Sequence, residues 1–414
     1  MSCFKKMLIG LAVMALAAGG MAGPAPAAPK TIRIAAVGDI MLGTENMLPA
    51  DGAAAAFTEV QPYLKDCQVV IGNLEGPLTD RGAPTKEAVE GRSYVFRTPP
   101  SYVERLREAG FTVLSLANNH ANDYGSAGSE QTREVLEKAG LLHTGAPGQV
   151  ARQKVGKTTV SVIGLPPNSG CQDLNDLASA SALIRQEASR DKTLVVVVFH
   201  GGAEGDAQTR VPYGMEYFLG ERRGDIRRLS RAFVDAGAHL VIGHGPHVPR
   251  GLEIYQDRII AYSLGNFATA RGISISGRAG LAPLLLVEMT DKGKLVGGRV
   301  ISFRQSTHAQ PRFDSSSQAA TLMHSVSLAD FELPGLGADG AVITSETAAR
   351  ALAAGSHRPL QPTAVAKAEP VPEQEQAKPS GRPTRPASKH GVKPGRASKA
   401  AAKYEWDIYS GRLN

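Results

Sequence analysis

Leu194-Val195-Val196-Val197-Val198-Phe199, followed at once by His200, contains no polar residue before that histidine. A run this short and this apolar predicts a strand buried on both faces. Comparable runs lie on either side of it. Ile32–Val37 is stopped by Gly38, Cys67–Ile71 by Gly72, and Leu240–Ile242 is broken by Gly243. Thr112–Leu116, Thr158–Leu165, Ile259–Tyr262, Pro283–Met289 and Arg299–Phe303 complete the set. Helical patterns fall between them at Ala53–Leu64, at Tyr102–Ala109 before Gly110, at Ser129–Ala139 before Gly140, and at Asp225–Ala236 before Gly237. Strand, loop, helix and strand in this alternation predict an α/β domain with a largely parallel sheet, spanning residues 29–305.

The two ends have a different composition. Lys5 and Lys6 precede the apolar run Met7–Ala18, and small residues lead to Ala25-Pro26-Ala27-Ala28. Residues 1–28 therefore read as a secretory signal peptide, with an uncleaved membrane anchor as the alternative. Residues 306–352 show Ser-rich and weakly helical patches with no assigned order. Residues 353–403 are rich in Pro, Ala, Lys, Arg and Ser, too poor in large apolar side chains to offset their ordering entropy, and are expected to be disordered. Between Gln376 and Lys403 lie eight Lys or Arg and no acid, so much of the +7 net charge sits in this tail. The charge thus gives no ground to expect a specific nucleic-acid partner for the domain. An exported basic tail either meets anionic envelope polymers or phospholipid headgroups, or is a solvated linker. The terminal peptide 404–414 carries the only Trp, Trp406. With Cys3 in the leader, Cys67 and Cys171 either pair or remain free thiols.

Chemistry-bearing residues gather where the apolar runs end. These are Gly38-Asp39, Gly72-Asn73-Leu74-Glu75, Ala117-Asn118-Asn119-His120, His200-Gly201-Gly202, Gly243-His244-Gly245-Pro246-His247 and Ser263-Leu264-Gly265-Asn266. Ligands in open α/β sheets bind beyond the carboxyl ends of strands. Mixed carboxylate, amide and imidazole donors suit Zn²⁺, Mn²⁺ or Fe rather than Ca²⁺, and the donor number would serve one or two divalent ions that activate water. His239, which precedes its strand, reads as a surface or helix-cap residue. Asn73, Asn118 and Asn266 are candidates for substrate binding. Arg210, Tyr213, Arg222, Arg223 and Arg250 fall near the expected mouth, either as forks for carboxylate or phosphate or as ordinary surface charge; Arg210 and Arg250 are the two taken as substrate candidates.

Gly38-Asp39-Ile40-Met41-Leu42-Gly43, Asn73-Leu74-Glu75-Gly76-Pro77-Leu78-Thr79 and Ala117–Gly125 resemble successive motifs of the CapA-type proteins of poly-γ-glutamate capsule synthesis, as do Gly243–Val248 and Tyr262–Phe267. That family is related to calcineurin-like metallophosphoesterases. The resemblance runs in order over about residues 31–300 and implies a four-layer α/β/β/α sandwich with a dinuclear metal site. On these motifs Asp39 and His247 would hold a first metal and Glu75 would bridge. Asn119, His200 and His244 would hold a second, with His120 as proton donor to the leaving group and Asp39 at the catalytic centre. Three departures stand out: Met41 replaces a usual His, Asn73 a usual bridging Asp, and two residues rather than one separate His244 from His247. On that spacing His244 fits the expected pair better than His247. After His200, Gly201-Gly202-Ala203-Glu204 lacks the aromatic frequent in the family, which implies a different substrate rim.

The expected function is that of an exported metal-dependent hydrolase or transferase, placed in the periplasm or cell envelope and acting on a polyglutamate-like polymer or a phosphoester, beside membrane-associated synthesis machinery. The alternative is a non-catalytic envelope factor that binds or guides an anionic polymer.

Overall fold

The computed structural model describes residues 31–44, 47–89, 93–167 and 173–347. The leader 1–28, Cys171 and the segments 353–403 and 404–414 lie outside them.

The first half of the chain lays down β1 (Thr31–Met41), α1 (Gln61–Leu64), β2 (Val69–Leu74), α2 (Val103–Ala109), β3 (Val113–Ser115), α3 (Gly125–Lys138) and β4 (Leu142–Thr144). Next come β5 (Val150–Val155), β6 (Thr158–Leu165), α4 (Leu177–Ala188), β7 (Thr193–His200), the hairpin β8 (Glu216–Phe218) and β9 (Glu221–Gly224), and α5 (Ile226–Asp235). They are followed by β10 (Leu240–His244), β11 (Leu252–Tyr255) and β12 (Arg258–Ala261). The chain then forms β13 (Asn266–Thr269), β14 (Leu281–Thr290), β15 (Leu295–Thr307), β16 (Gln310–Phe313), α6 (Gln318–Asp330) and β17 (Ala341–Val342).

The strands make two large sheets rather than the single largely parallel one expected from the alternation. One runs β16-β15-β14-β1-β2-β3-β4, with β13 also on β1 and β17 on β15; the other runs β11-β12-β10-β7-β6-β5. The β1-to-β4 half of the first sheet is parallel, and its β14-β15-β16 half antiparallel. Side-chain alternation explains the stacking. Leu194, Val196 and Val198 of β7 pack with Ile34, Val69 and Val113 of the first sheet, while Val195 and Val197 turn to Ile184 of α4 and Phe233 of α5. On the far side of the first sheet, Ala35, Val37 and Val70 meet Leu64, Leu106 and Leu136 of α1, α2 and α3. Three apolar interfaces between four layers give an α/β/β/α sandwich.

Local chemistry sets the boundaries. Gly110 closes α2 in the left-handed conformation at φ +97°, as a helix C-terminus prefers. Asp225 caps α5 by accepting the Arg228 N–H. The expected helix at 53–64 is for the most part a run of turns with i→i+3 bonds, opened by Asp51 accepting from Ala53 and Ala55, and only Gln61–Leu64 is α-helical. The expected boundary at 305 falls inside β15, and β16, α6 and β17 continue the packing. Among the described residues, no helix is long and apolar enough to cross a membrane.

A half-buried ion pair ties β5 to α4. Glu187, whose side chain is fully buried, accepts from Arg152 Nε at 2.9 Å and Nη2 at 2.6 Å, and from Ser161 Oγ at 2.9 Å. The Arg152 hydrogen bonds hold its carboxyl below the ordinary range against the opposing effect of burial. The folded-state value is thus depressed below about 4.3, so the contribution is complete above that pH and lost as pH falls below it. Arg152 is partly exposed. Glu187→Gln is therefore expected to cost about 1–2 kcal/mol at pH 7 and to flatten the loss of stability between about pH 5 and 3. Denaturant unfolding across that pH range measures both.

Candidate metal centre and active site

The site is assembled by strand pairing. Asp39 on β1 pairs with Asn73 on β2 and with Asn266 on β13, across a register shift between Ala36 and Asp39 that re-aims the strand end. In the other sheet His244 at the end of β10 pairs with His200 at the end of β7. Gly243 therefore does not break β10; it lies within the strand, because its main chain still pairs with Phe199. It is glycine because a Cβ there would lie 2.3 Å from Tyr262 O. The chain turns through Gly245 at φ +115° to His247 at φ +59°. A non-glycine residue held left-handed is a strained arrangement of the kind that collects at functional sites.

At the centre Asp39, Glu75 and His247 each offer a ligand atom within 4.8 Å of the others. His244 Nδ1 lies 3.2 Å from Asp39 Oδ1, His247 Nδ1 lies 3.1 Å from Asp39 Oδ2, and His247 Nε2 lies 3.6 Å from Glu75 Oε1. His247 Nδ1 also hydrogen-bonds Asn266 Oδ1 at 2.9 Å. Both loop histidines reach Asp39, and His247, brought back by the left-handed turn despite the unusual spacing, also reaches Glu75.

Asn73 stands where a bridging carboxylate was expected. Its Nδ2 donates to Asp39 Oδ1 at 2.8 Å and lies 3.4 Å from His200 Nδ1, and its Oδ1 accepts from Asn118 Nδ2. Asn118 also accepts the His120 N–H, and Asn266 spans His247 and the carbonyls of Ser274 and Ala279. The three asparagines thus fix other site residues in place.

Buried atoms without hydrogen-bond partners cluster here. Among the described residues they include Asp39 Oδ2, both Glu75 oxygens, Asn119 Oδ1, His200 Nε2 and both His244 nitrogens. Such groups are costly unless something pairs them. Carboxylate, amide and imidazole donors pointing together fit a divalent transition ion.

Without an ion, the buried groups shift one another, and Glu75 and His247 would each lose a proton on binding a metal. Burial opposes ionisation of Asp39, yet the His244 and His247 imidazoles beside it hold its carboxyl well below the ordinary range. Burial pushes Glu75 up to about 8, against the pull of His247. His247 is raised to about 10: burial works against its charge, and Glu75 and Asp39 outweigh it. Burial drives His200 well below the usual histidine value, helped by the positive Arg223. Neutral imidazole is the metal-ligating form.

A cavity of about 200 Å³ opens beside these groups, lined in part by Asn119, His120, Glu204, Arg223 and His247. His120 packs its ring 4.2 Å from that of Phe96 and places Nδ1 2.7 Å from Asp123 Oδ2. Asp123 also pairs with Lys86 at 2.9 Å and accepts the Phe96 N–H at 2.8 Å. Burial lowers the His120 value while Asp123 raises it. Sequence reasoning gave Asp123, Lys86 and Glu204 no role. The only local signal was spacing, Asp123 three residues after His120 and Glu204 four after His200.

Arg250 and Arg210 do not join this cluster. Arg250 is fully buried and is held by both Glu216 oxygens, with the Gln208 and Ala203 carbonyls around it. Arg210 pairs with Asp330 at 2.5 Å. His239 is half-buried rather than a surface residue: its Nδ1 accepts the Val195 N–H, and burial lowers it to about 4.

Residues 33–271 match the family model described as bacterial capsule synthesis protein PGA_cap. The chain is 30% identical over 257 residues to a capsule biosynthesis protein CapA of Bacillus anthracis, covering 57% of this chain and 59% of that protein. It is 32% identical over 254 residues to a PGA biosynthesis protein CapA of Bacillus subtilis, covering 57% and 63%. The match thus spans about six-tenths of the length of these relatives. A 5′-nucleotidase precursor of Thermus thermophilus superposes with a TM-score of 0.39 at 14% identity, covering 68% of this chain and 56% of that one. With more than half of its length matched by the family model, the chain belongs to the bacterial capsule synthesis protein family PGA_cap.

Proposed function

We propose that this protein is an exported, metal-dependent hydrolase or transferase that acts on an anionic envelope polymer of the polyglutamate type during capsule synthesis. The observation that carries the reading is the buried group Asp39, Glu75 and His247, with its unpartnered carboxylate oxygens and the unpartnered His200 and His244 nitrogens, which the cavity reaches through His247. The capsule-related names of the relatives support the polymer class.

Asp39, Glu75 and His247 would hold one divalent ion of the Mn, Zn or Fe type, and Asn119, His200 and His244 are the donors for a second. Such an ion would supply Lewis-acid polarisation of the scissile group and would lower the pKa of a water, so that hydroxide is available as nucleophile near neutral pH. The chain's own residues do the rest. Asp123 occupies His120 Nδ1, which leaves Nε2 as the nitrogen that exchanges a proton with the leaving group. Asp123 and the Phe96 ring fix the plane of that imidazole. Asn73 and Asn266 orient Asp39 and His247.

Metal analysis of the purified full-length protein tests the reading. Near-stoichiometric Mn, Zn or Fe is expected, with at least a tenfold loss on His244→Ala. A protein with no bound transition metal, and a variant indistinguishable from it, would overturn the proposal and favour a scaffold that only guides polymer.

A further inference from the structure

Arg223 is one of the largest side chains in the molecule with no solvent exposure, yet it borders the cavity. Its Nη1 donates to Glu221 at 3.3 Å. The opposite edge, formed by Nε and Nη2, finds no hydrogen-bond partner among the described residues. Glu204 Oε1 lies 3.0 Å from Nη2 as a charge contact only. A buried guanidinium with an unsatisfied two-donor edge is costly unless a planar oxyanion completes it.

Position matters as much as charge. The Arg223 carbonyl accepts the Gly202 N–H at 2.8 Å, which pins β9 to the segment that follows His200. On the other side, a Cβ at Gly245 would lie 3.2 Å from Nη2, so the residue between His244 and Pro246 leaves room beside the guanidinium. An oxyanion on this edge would sit next to the metal-binding loop. Lys86, another cation of the cavity wall, is engaged by Asp123.

We propose that Arg223 determines substrate specificity by binding a carboxylate of an amide-linked polymer unit on its Nε–Nη2 edge, in exchange for Glu204. The carboxylate is preferred over phosphate because Glu204 and Glu221 also line the cavity and would repel a dianion while accepting an N–H. This inference rests on the function proposed above, since it presumes that the polymer enters this cavity.

The test uses the full-length protein and three probes: a γ-linked glutamate tripeptide, the same peptide with α-carboxamides, and inorganic phosphate. Calorimetry is expected to show the acid peptide binding at least about tenfold tighter than the amide. Arg223→Lys and Arg223→Gln should erase that preference. Glu204→Gln should tighten acid-peptide binding about threefold or more, because it removes the competing carboxylate, and it keeps the test alive if the Arg223 variants do not fold. A wild-type protein that does not bind the acid peptide or does not prefer it would overturn the inference. So would Arg223 variants that keep the preference, a weakened Glu204→Gln, or Arg223 dependence seen for phosphate alone. Metal content measured on the same samples judges the proposed function separately.

Discussion

Replacing Glu75 with glutamine is expected to move metal retention and heat stability in opposite directions. Both Glu75 oxygens are buried and unpartnered among the described residues, and Asp39 and Glu204 add negative charge nearby. His247 is the compensating cation, and Asp39 still pairs with it once Glu75 is neutral. Removing the charge should therefore relieve more desolvation than it forfeits in attraction, by roughly 2 kcal/mol or more. In chelator-treated protein that corresponds to a rise of about 3 °C or more in Tm. The sign with pH follows from Glu75 being raised to about 8 in the folded state. The wild-type penalty is absent below about pH 4, grows as pH rises to about 8, and is constant above it. Metal content should fall at least tenfold in the same variant. A variant that keeps its metal, or whose metal-free form melts lower than wild type, would remove Glu75 from the ligand set.

The second large effect is structural. Gly243→Ala would place its Cβ 2.3 Å from the Tyr262 carbonyl oxygen and 2.4 Å from Phe199 Cζ, one a main-chain atom and the other part of a buried ring. Neither can yield without separating β10 from its neighbours, and the Leu264 N–H already donates to the Gly243 carbonyl at 3.0 Å. A cost of about 4 kcal/mol or more is expected, with loss of soluble folded protein or a collapse in Tm. Gly297→Ala is the control, because nothing lies within 4 Å of a Cβ built there. If the two variants melted within a few degrees of each other, the close approach at Gly243 would be wrong.

Much of the architecture could be read along the chain, because its signals are local. Apolar runs of strand length and helical periodicity between them placed β1, β2, β6, β7, α2, α5 and β14 within a few residues, although Gly38 and Gly72, expected to stop β1 and β2, lie inside them. The collection of Asp39, Glu75, Asn119, His120, His200, His244 and His247 at strand ends is equally local. Each lies within a few residues of the end of an apolar run, and parallel neighbours within a sheet bring such ends to the same side. Sheet number was not local. Val195, Val196, Val197 and Val198 are the same residue four times, so their composition does not tell which pair faces helices and which faces a second sheet.

The division is sharpest among the charged residues. The sequence by itself determined that carboxylates and imidazoles would collect where apolar runs give out, but not that those runs belong to two facing sheets. It could not rank the arginines, because Arg223 and Arg250 are alike in type and in burial. Only the tertiary structure decided that Glu216 satisfies both terminal nitrogens of Arg250 while the Nε–Nη2 edge of Arg223 has only the charge contact with Glu204. It likewise decided that a left-handed turn brings His247 within reach of both Asp39 and Glu75. Both outcomes depend on which distant groups reach a side chain after folding, a matter of packing that residue order does not encode locally.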